Sequence, residues 1–377
     1  MKKIFVMAAL SLAAISCTKS DVLESPVLEQ PINFFTYLGR TPVTKGNFVT
    51  VEEMKATGFD VKALKCVATT GEGTDATTSL GAFDSKPYMH VKLTSTDGSA
   101  WSYVEAAGND VGKAINYYWP TNTSEKLVFV GYGLNANDTF GATDENTAGT
   151  KYIVFEDGSN TDFTYTVPRN IADHQDLIAT NTNICDQENC KDGVTLNFEH
   201  LLSRIDFAIT SNGGNSDGKL PVHIKNLSIK GKFIETGTVS LASIAEGKLV
   251  NKALTPGTAA AESIQYEVIS TPKTFNTKEE QPIFAGEESA ASSRYMMIIP
   301  QTTNGVSIVG TYTIDEDPTE RSINIDLGAS DLKNFEAGKA YKFVMNVKTS
   351  VITFSVTVEP WKEKDETGAY YGESFEI

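Results

Sequence analysis

The chain has 377 residues, room for two domains of ordinary size, and carries 32 Lys and Arg against 48 Asp and Glu, for a formal charge of −16. So acidic a surface repels phosphate backbones, which argues against a nucleic-acid partner and reads as a solvated coat. Past the first seventeen residues, no apolar stretch is long enough to span a bilayer as a helix.

Residues 1–17 read MKKIFVMAALSLAAISC. A basic start at Lys2 and Lys3 leads into an apolar run from Ile4 to Ile15, too short for a membrane span and right for a secretory signal over residues 1–16. A cysteine directly after Ala14-Ile15-Ser16 is similar to a bacterial lipobox, in which the Cys17 thiol takes up diacylglycerol and tethers the mature chain outside the cytoplasm. Losing Lys2 and Lys3 with the signal leaves 30 basic residues against 48 acidic ones, a formal charge of −18.

After a polar leader at 18–31, Ile32-Asn-Phe34-Phe35-Thr-Tyr37-Leu38 predicts a first strand. Apolar and polar residues then alternate at a period of two, the pattern of strands with one face on a core. Strands are predicted at Leu127–Tyr132, Tyr152–Phe155, Thr195–Phe198, Ile205–Ile209, Val222–Ile229, Tyr295–Ile299 and Val306–Ile314. Tyr341, Phe343, Met345 and Val347 predict another, joined by a turn at Lys348-Thr349-Ser350 to the clearest alternation, Ile352 to Val358. Asp97-Gly98, Asp157-Gly158 and Asn304-Gly305 supply the positive-φ residues that tight turns demand. Short helices are predicted only at Val51–Ala56 and Val111–Asn116. The composition is mostly β and implies β-sandwiches, with a domain junction at 198–204 and polar loops at 211–219 and 254–263.

Catalytic signatures are missing: no G-x-S-x-G elbow, no H-E-x-x-H and no phosphate-cradling glycine loop. His200, Ser203 and Asp206 lie close in sequence, but in an extended segment Ser203 faces away from the other two, so His200 reads as a junction residue bonded to backbone. No enzyme, cofactor or metal is therefore expected. Asp315-Glu316-Asp317 and the 211–219 loop are acidic or polar but lack calcium-loop spacing. Cys185 and Cys190 flank DQEN and are spaced to close a small disulfide ring, while a metal site would need more ligands than His174 and His200 supply. Cys66, in LKCV, reads as a buried small hydrophobe. Trp101 and Trp119 have faces that stack on sugars, although aromatic residues at strand ends also cap sandwich cores.

INYYWPTNTSEKLVFVGYG (115–133), DLIAT (176–180), LNFEHLLSRIDFAI (196–209), RYMMIIPQ (294–301), FEAGKAYKFVMNV (335–347) and VEPW (358–361), taken in this order, resemble the fimbrillins, subunits of type V pili. The resemblance implies two tandem transthyretin-like (Ig-like Greek-key) β-sandwiches, at 41–200 and 201–377, behind a leader and first strand at 17–40 that is removed. It implies export as a lipoprotein to the outer membrane, held by a lipid on Cys17, and surface display as a pilus serving adhesion. Its expected partners are other fimbrillin subunits, added by donor-strand exchange, with the surface receptor unspecified. A trypsin-like cut is expected after Arg40, giving a start at Thr41, or after Lys45, giving a start at Gly46. Pro42 and the Thr44-Lys45-Gly46 triplet depart from the family pattern there. At the other end Tyr371, Phe375 and Ile377 share one face of the terminal stretch, which suits either a donor strand or a final edge strand. Two other roles stay open: a lipid-retaining anchor or tip adhesin, and a glycan-binding surface lipoprotein using Trp101 or Trp119.

Overall fold

The computed structural model describes residues 30–38, 55, 58–70, 78–96, 101–106, 111–134, 152–156, 158–211, 220–276, 278–283, 295–315, 317–348, 352–360 and 373–376. Within these, the side chains of residues 37, 38, 70, 78 and 373–376 are left out of account. The chain is built of strands. The first half holds β1 (Phe34–Leu38), β2 (Phe59–Thr70), β3 (Thr78–Leu80), β4 (Met89–Thr94), β5 (Ser102–Glu105) and β6 (Glu125–Leu134). It continues with β7 (Ile153–Phe155), β8 (Asp162–Thr166), β9 (Leu177–Asn181) and β10 (Val194–His200). The second half starts with β11 (Ser203–Ser211), β12 (Val222–Gly231), the hairpin β13 (Thr236–Ala245) and β14 (Lys248–Pro256), and β15 (Ile264–Ile269). Next come the short β16 (Lys273–Phe275), β17 (Gln281–Pro282), β18 (Met296–Ile298) and β19 (Gln301–Thr302). The last are β20 (Ser307–Ile314), β21 (Asp317–Asp326), β22 (Asn334–Phe335), β23 (Lys339–Val347), β24 (Ile352–Pro360) and β25 (Glu373–Glu376).

The largest sheet runs β1-β10-β9-β6-β2-β4-β5, with β3 paired to β2. One face encloses a core of Phe59, Val61, Trp101, Trp119, Phe129, Leu196 and Phe198. The other face packs on a smaller sheet, β14-β13-β8-β7, through Leu64, Val130, Tyr132, Phe163, Tyr165, Val239 and Leu241. Burial on both faces explains why β6 reads as an almost unbroken apolar run, with every residue from Leu127 to Leu134 buried. The β13–β14 hairpin follows residue 200 in the chain, yet it pairs with β8 from Thr166↔Thr236 to Asp162↔Ser240, so this ladder crosses the expected 200/201 division.

A second pair of sheets, β17-β11-β23-β24-β25 and β15-β12-β20-β21, closes over Ile205, Phe207, Val222, Ile229, Tyr266, Ile308, Phe343 and Phe354. The predicted strand over Ile352–Val358 is β24, paired antiparallel with β23 from Lys339↔Pro360 to Val347↔Ile352. Gly305 turns into β20 at φ +74° and Gly158 precedes β8 at φ +76°, both as expected of turn glycines. Asp97-Gly98, the turn residues 349–351 and, apart from Lys55, the helix expected over 51–56 lie outside the described residues. The helix expected at 111–116 is not formed. Gly112 turns at φ +81°, and the chain then runs extended, with Ala114 bridged to Val104 and the Glu105 N–H donating to the Lys113 carbonyl at 2.9 Å. Satisfying a sheet edge outweighs a short run of weak helical propensity.

Candidate functional site at the first strand

β1 stands at one edge of the largest sheet and pairs with β10 in parallel, from Phe34↔Val194 to Leu38↔Phe198. Its nearest successor in the chain, β2, lies four places along that sheet. A parallel neighbour cannot be joined through a tight hairpin, so no turn ties β1 to β10. Its inner face is nevertheless part of the core. Ile32 is fully buried, and the buried Phe34 ring meets Phe129 edge-on at 5.5 Å and Tyr103 at 5.8 Å. The root of the strand is held from both sides. The Ile32 N–H donates to the Tyr117 carbonyl at 2.9 Å, the Tyr103 hydroxyl donates to the Ile32 carbonyl at 3.2 Å, and the Val194 N–H donates to the Asn33 carbonyl at 2.8 Å. Phe35 points outward and covers Gly193, where φ is +131° and an added Cβ would sit 2.5 Å from the Phe35 ring.

Taking β1 away would uncover Phe129, Val194, Leu196 and Phe198 beside a row of unpaired β10 backbone groups. At the other end of the chain, β25 pairs antiparallel with β24, with Phe375 opposite Val356, as the outermost strand of its sheet. Tyr371 and Ile377 lie outside the described residues, as do Cys17, Arg40, Thr41, Lys45 and Gly46. Cys185 and Cys190 are joined as a disulfide with Cα atoms 5.7 Å apart, and Cys66 is a buried free thiol.

The remaining candidate side chains are placed separately. His200 is bonded through Nδ1 to the Asp176 carboxylate at 2.8 Å, because β10 ends over the start of β9 and brings a buried carboxylate to the ring. Ser203 donates to the Glu336 carbonyl at 2.8 Å, and Asp206 accepts from Arg204 at 2.7 Å, so the three residues do not converge. Trp101 and Trp119 are core residues: the first packs at 5.0 Å from Phe59 and the second edge-on at 5.9 Å from Phe129. Neither presents a face for a sugar. Asp315 is bonded to His223 at 2.5 Å and Asp317 to Arg321 at 2.7 Å, and among the described residues no three His, Cys, Asp or Glu side chains gather as metal ligands.

Two buried polar groups escaped the sequence reading. Lys62, on the β2 face under the small sheet, lies 3.8 Å over the Phe155 ring and donates to the Asn160 carbonyl at 3.1 Å; burial lowers its pKa to about 8. His174 donates from Nε2 to the Pro168 carbonyl at 2.8 Å and accepts the Met297 N–H on Nδ1 at 2.9 Å. Burial first, against that backbone bond, brings its pKa down to about 4. Gly193 was also missed, although Asp192-Gly193 carries the same turn signal as the glycine pairs that were read.

The described residues form a strand-built fold in which the first strand sits at a sheet edge with its inner face in the core. The family model for fimbrillin-like proteins matches residues 54–361, and the chain belongs to that family. Among solved structures it is similar to a fimbrial protein from Bacteroides vulgatus, with a TM-score of 0.53, 16% identity, and coverage of 88% of this chain and 100% of that one. It is also similar to a protein assigned to cell adhesion from Bacteroides uniformis (TM-score 0.44, 13% identity, 90% of this chain and 100% of that one). A fimbrial assembly protein from Parabacteroides distasonis aligns too, with a TM-score of 0.36, 12% identity, 92% of this chain and 99% of that one. No curated protein sequence matches the chain.

Proposed function

We propose that this chain is a structural subunit of a type V pilus, exported as a lipoprotein through Cys17 and polymerised at the outer membrane by protease-triggered donor-strand exchange, in the service of adhesion. The observation that carries the reading is β1: an edge strand whose Phe34, with Ile32 just before it, fills the core, yet which is joined to its sheet neighbour by no turn. One cut between β1 and β2, at Arg40 or Lys45, frees it to leave. The exposed β10 edge then takes a strand from a second subunit in its place. The tail carrying Tyr371, Phe375 and Ile377 is the candidate donor, and the seat of its β25 segment, on a single ladder at the edge of the last sheet, is one it can give up. Such contacts are head to tail and do not close, so a filament is the natural product.

The N-terminus and mass of mature protein taken from cells test this. A start at Thr41 or Gly46, together with heat-labile ladders resistant to detergent, is the expected result. A lipid still on Cys17, with residues 18–40 attached in all of the material and no ladder, would overturn the stalk-subunit reading in favour of an anchor.

A further inference from the structure

The disulfide lies against the root of β1. Cys185 is buried in the same core as Ile32 and Phe34, and Cys190 packs on that core half-buried. The first half of the ring is fixed to a central strand: the Leu127 N–H donates to the Cys185 carbonyl at 2.9 Å, and the Cys185 N–H donates to the Leu127 carbonyl at 2.7 Å. Lys126, next on β6, holds Asp186 at 2.6 Å. The second half leads directly into the residues that touch β1. The Gly193 N–H donates to the Cys190 carbonyl at 3.0 Å, the Lys191 carbonyl accepts the Gln30 side-chain N–H at 2.6 Å, and Gly193 and Val194 meet Phe35 and Asn33. The bond between Cys185 and Cys190 therefore transmits the fixed position of β6 to the segment 191–194, on which the root of the strand sits.

We propose that the Cys185–Cys190 ring, with Gln30 and the Lys191 carbonyl, is a latch that positions the root of β1 and sets how readily the edge strand opens. This rests on the reading of β1 as the exchanged element and adds a control point to it. With the ring closed, segment 191–194 is already in the shape the strand requires, so little ordering is needed when a strand seats. With the ring open, that ordering must be repeated at every closure, which favours the unseated strand. Closing a loop with a sequence separation of 5 restricts the open state by up to about 40-fold. Losing one side-chain hydrogen bond to the backbone is worth about fivefold. Asp186 accepts the Glu188 and Asn189 N–H groups at 3.0 and 2.9 Å, so the loop keeps part of its shape without the bond and the effect falls below that ceiling.

The test is amide hydrogen exchange in the full chain, comparing the parent with Cys185→Ser/Cys190→Ser and, separately, Gln30→Glu, which removes the donor and leaves the ring intact. The amides to follow are Ile32 and Val194 at the strand root, with Phe343 and Val344 in β23 as the reference. The double serine variant should exchange about 10- to 30-fold faster at Ile32 and Val194, with the β23 amides unchanged. Gln30→Glu should give about fivefold at the same two sites. Less than a twofold change at the root in both variants would overturn the latch. Equal acceleration in β23 would also overturn it, by making the ring a general brace. Neither result touches the pilus reading, which stands or falls on the N-terminus of mature protein.

Discussion

Phe34→Ala is the sharpest perturbation of the first strand, because Phe35→Ala beside it supplies the control. The Phe34 side chain is 3% exposed and makes edge-on contacts with Phe129 and Tyr103, whereas Phe35 is 42% exposed and covers Gly193. Truncating a buried phenylalanine costs about 3–5 kcal/mol from lost transfer energy and the cavity left behind. An edge strand relaxes more easily than a central one, which places Phe34→Ala near the lower end, at about 3 kcal/mol. Phe35 loses only its covered half, worth about 1 kcal/mol. Urea unfolding followed by tryptophan fluorescence reads the difference, since Trp101 and Trp119 belong to the same core as Phe34. The expected result is a midpoint lowered by roughly three times as much in Phe34→Ala, at an unchanged slope. Equal costs for the two variants, or a Phe34→Ala cost below about 1 kcal/mol, would show that β1 is not inserted in the core.

His174 has a folded pKa of about 4 against an ordinary 6.5, so the unfolded chain takes up its proton first as pH falls. Its contribution is complete above pH 6.5 and is lost progressively toward pH 4, about 3 kcal/mol in all; denaturant midpoints at pH 7 and pH 4.5 should show a drop that shrinks in His174→Gln. For Lys62 the folded pKa of about 8 lies below 10.5, so the parent gains stability as pH rises from 8 toward 10.5. Lys62→Met removes both this pH dependence and the cation facing the buried Asp60, so the denaturant midpoint of the parent should rise between pH 8 and pH 10 while that of the variant does not; a flat parent midpoint over that range would refute the reasoning. Trp119→Ala should lower stability by about 3–5 kcal/mol, as a core truncation does, and a variant of parental stability that had lost sugar binding would restore the glycan reading.

Much of the fold was legible because most strands declare one buried face. The alternation of β24, with Phe354 and Val356 buried between half-exposed neighbours, is readable in isolation. β2 was not read, since Asp60 and Lys62 interrupt its apolar pattern. Both prove buried, on the face turned to the small sheet, where Phe155 and the Asn160 carbonyl receive the lysine. A charge inside a core is legible only once its partner is known, and that partner comes from a strand some ninety residues away in the chain. The first strand itself was visible as an apolar run, but its partner was not. Parallel pairing with β10 spans about 160 residues and leaves no local trace such as a turn. Gly193 shows the same limit. The sequence marks a turn there, and only the pairing reveals that the absent side chain makes room for Phe35.

Which strand can leave is decided by topology more than by burial. β15 is also an outer strand with a buried face, since Ile264, Tyr266 and Ile269 all enter the core. It is bounded in the chain by β14 on one side and β16 on the other, each paired into a sheet, so freeing it from its single ladder to β12 takes two cuts. β21 is an outer strand of the opposite kind, with Ile323 as its one fully buried residue, so its departure would open no slot in the core. β1 combines the two properties that the others divide. It is the first described strand, so one cut beyond it is enough, and its Ile32 and Phe34 leave behind a cleft lined by apolar groups on a ready backbone edge. β25, the last described strand, has the matching topology at the other end, with a single ladder to β24 holding it. On the proposed reading, an exchange that vacated the first edge and filled it with the last strand of another copy would break two ladders, β1–β10 and β24–β25.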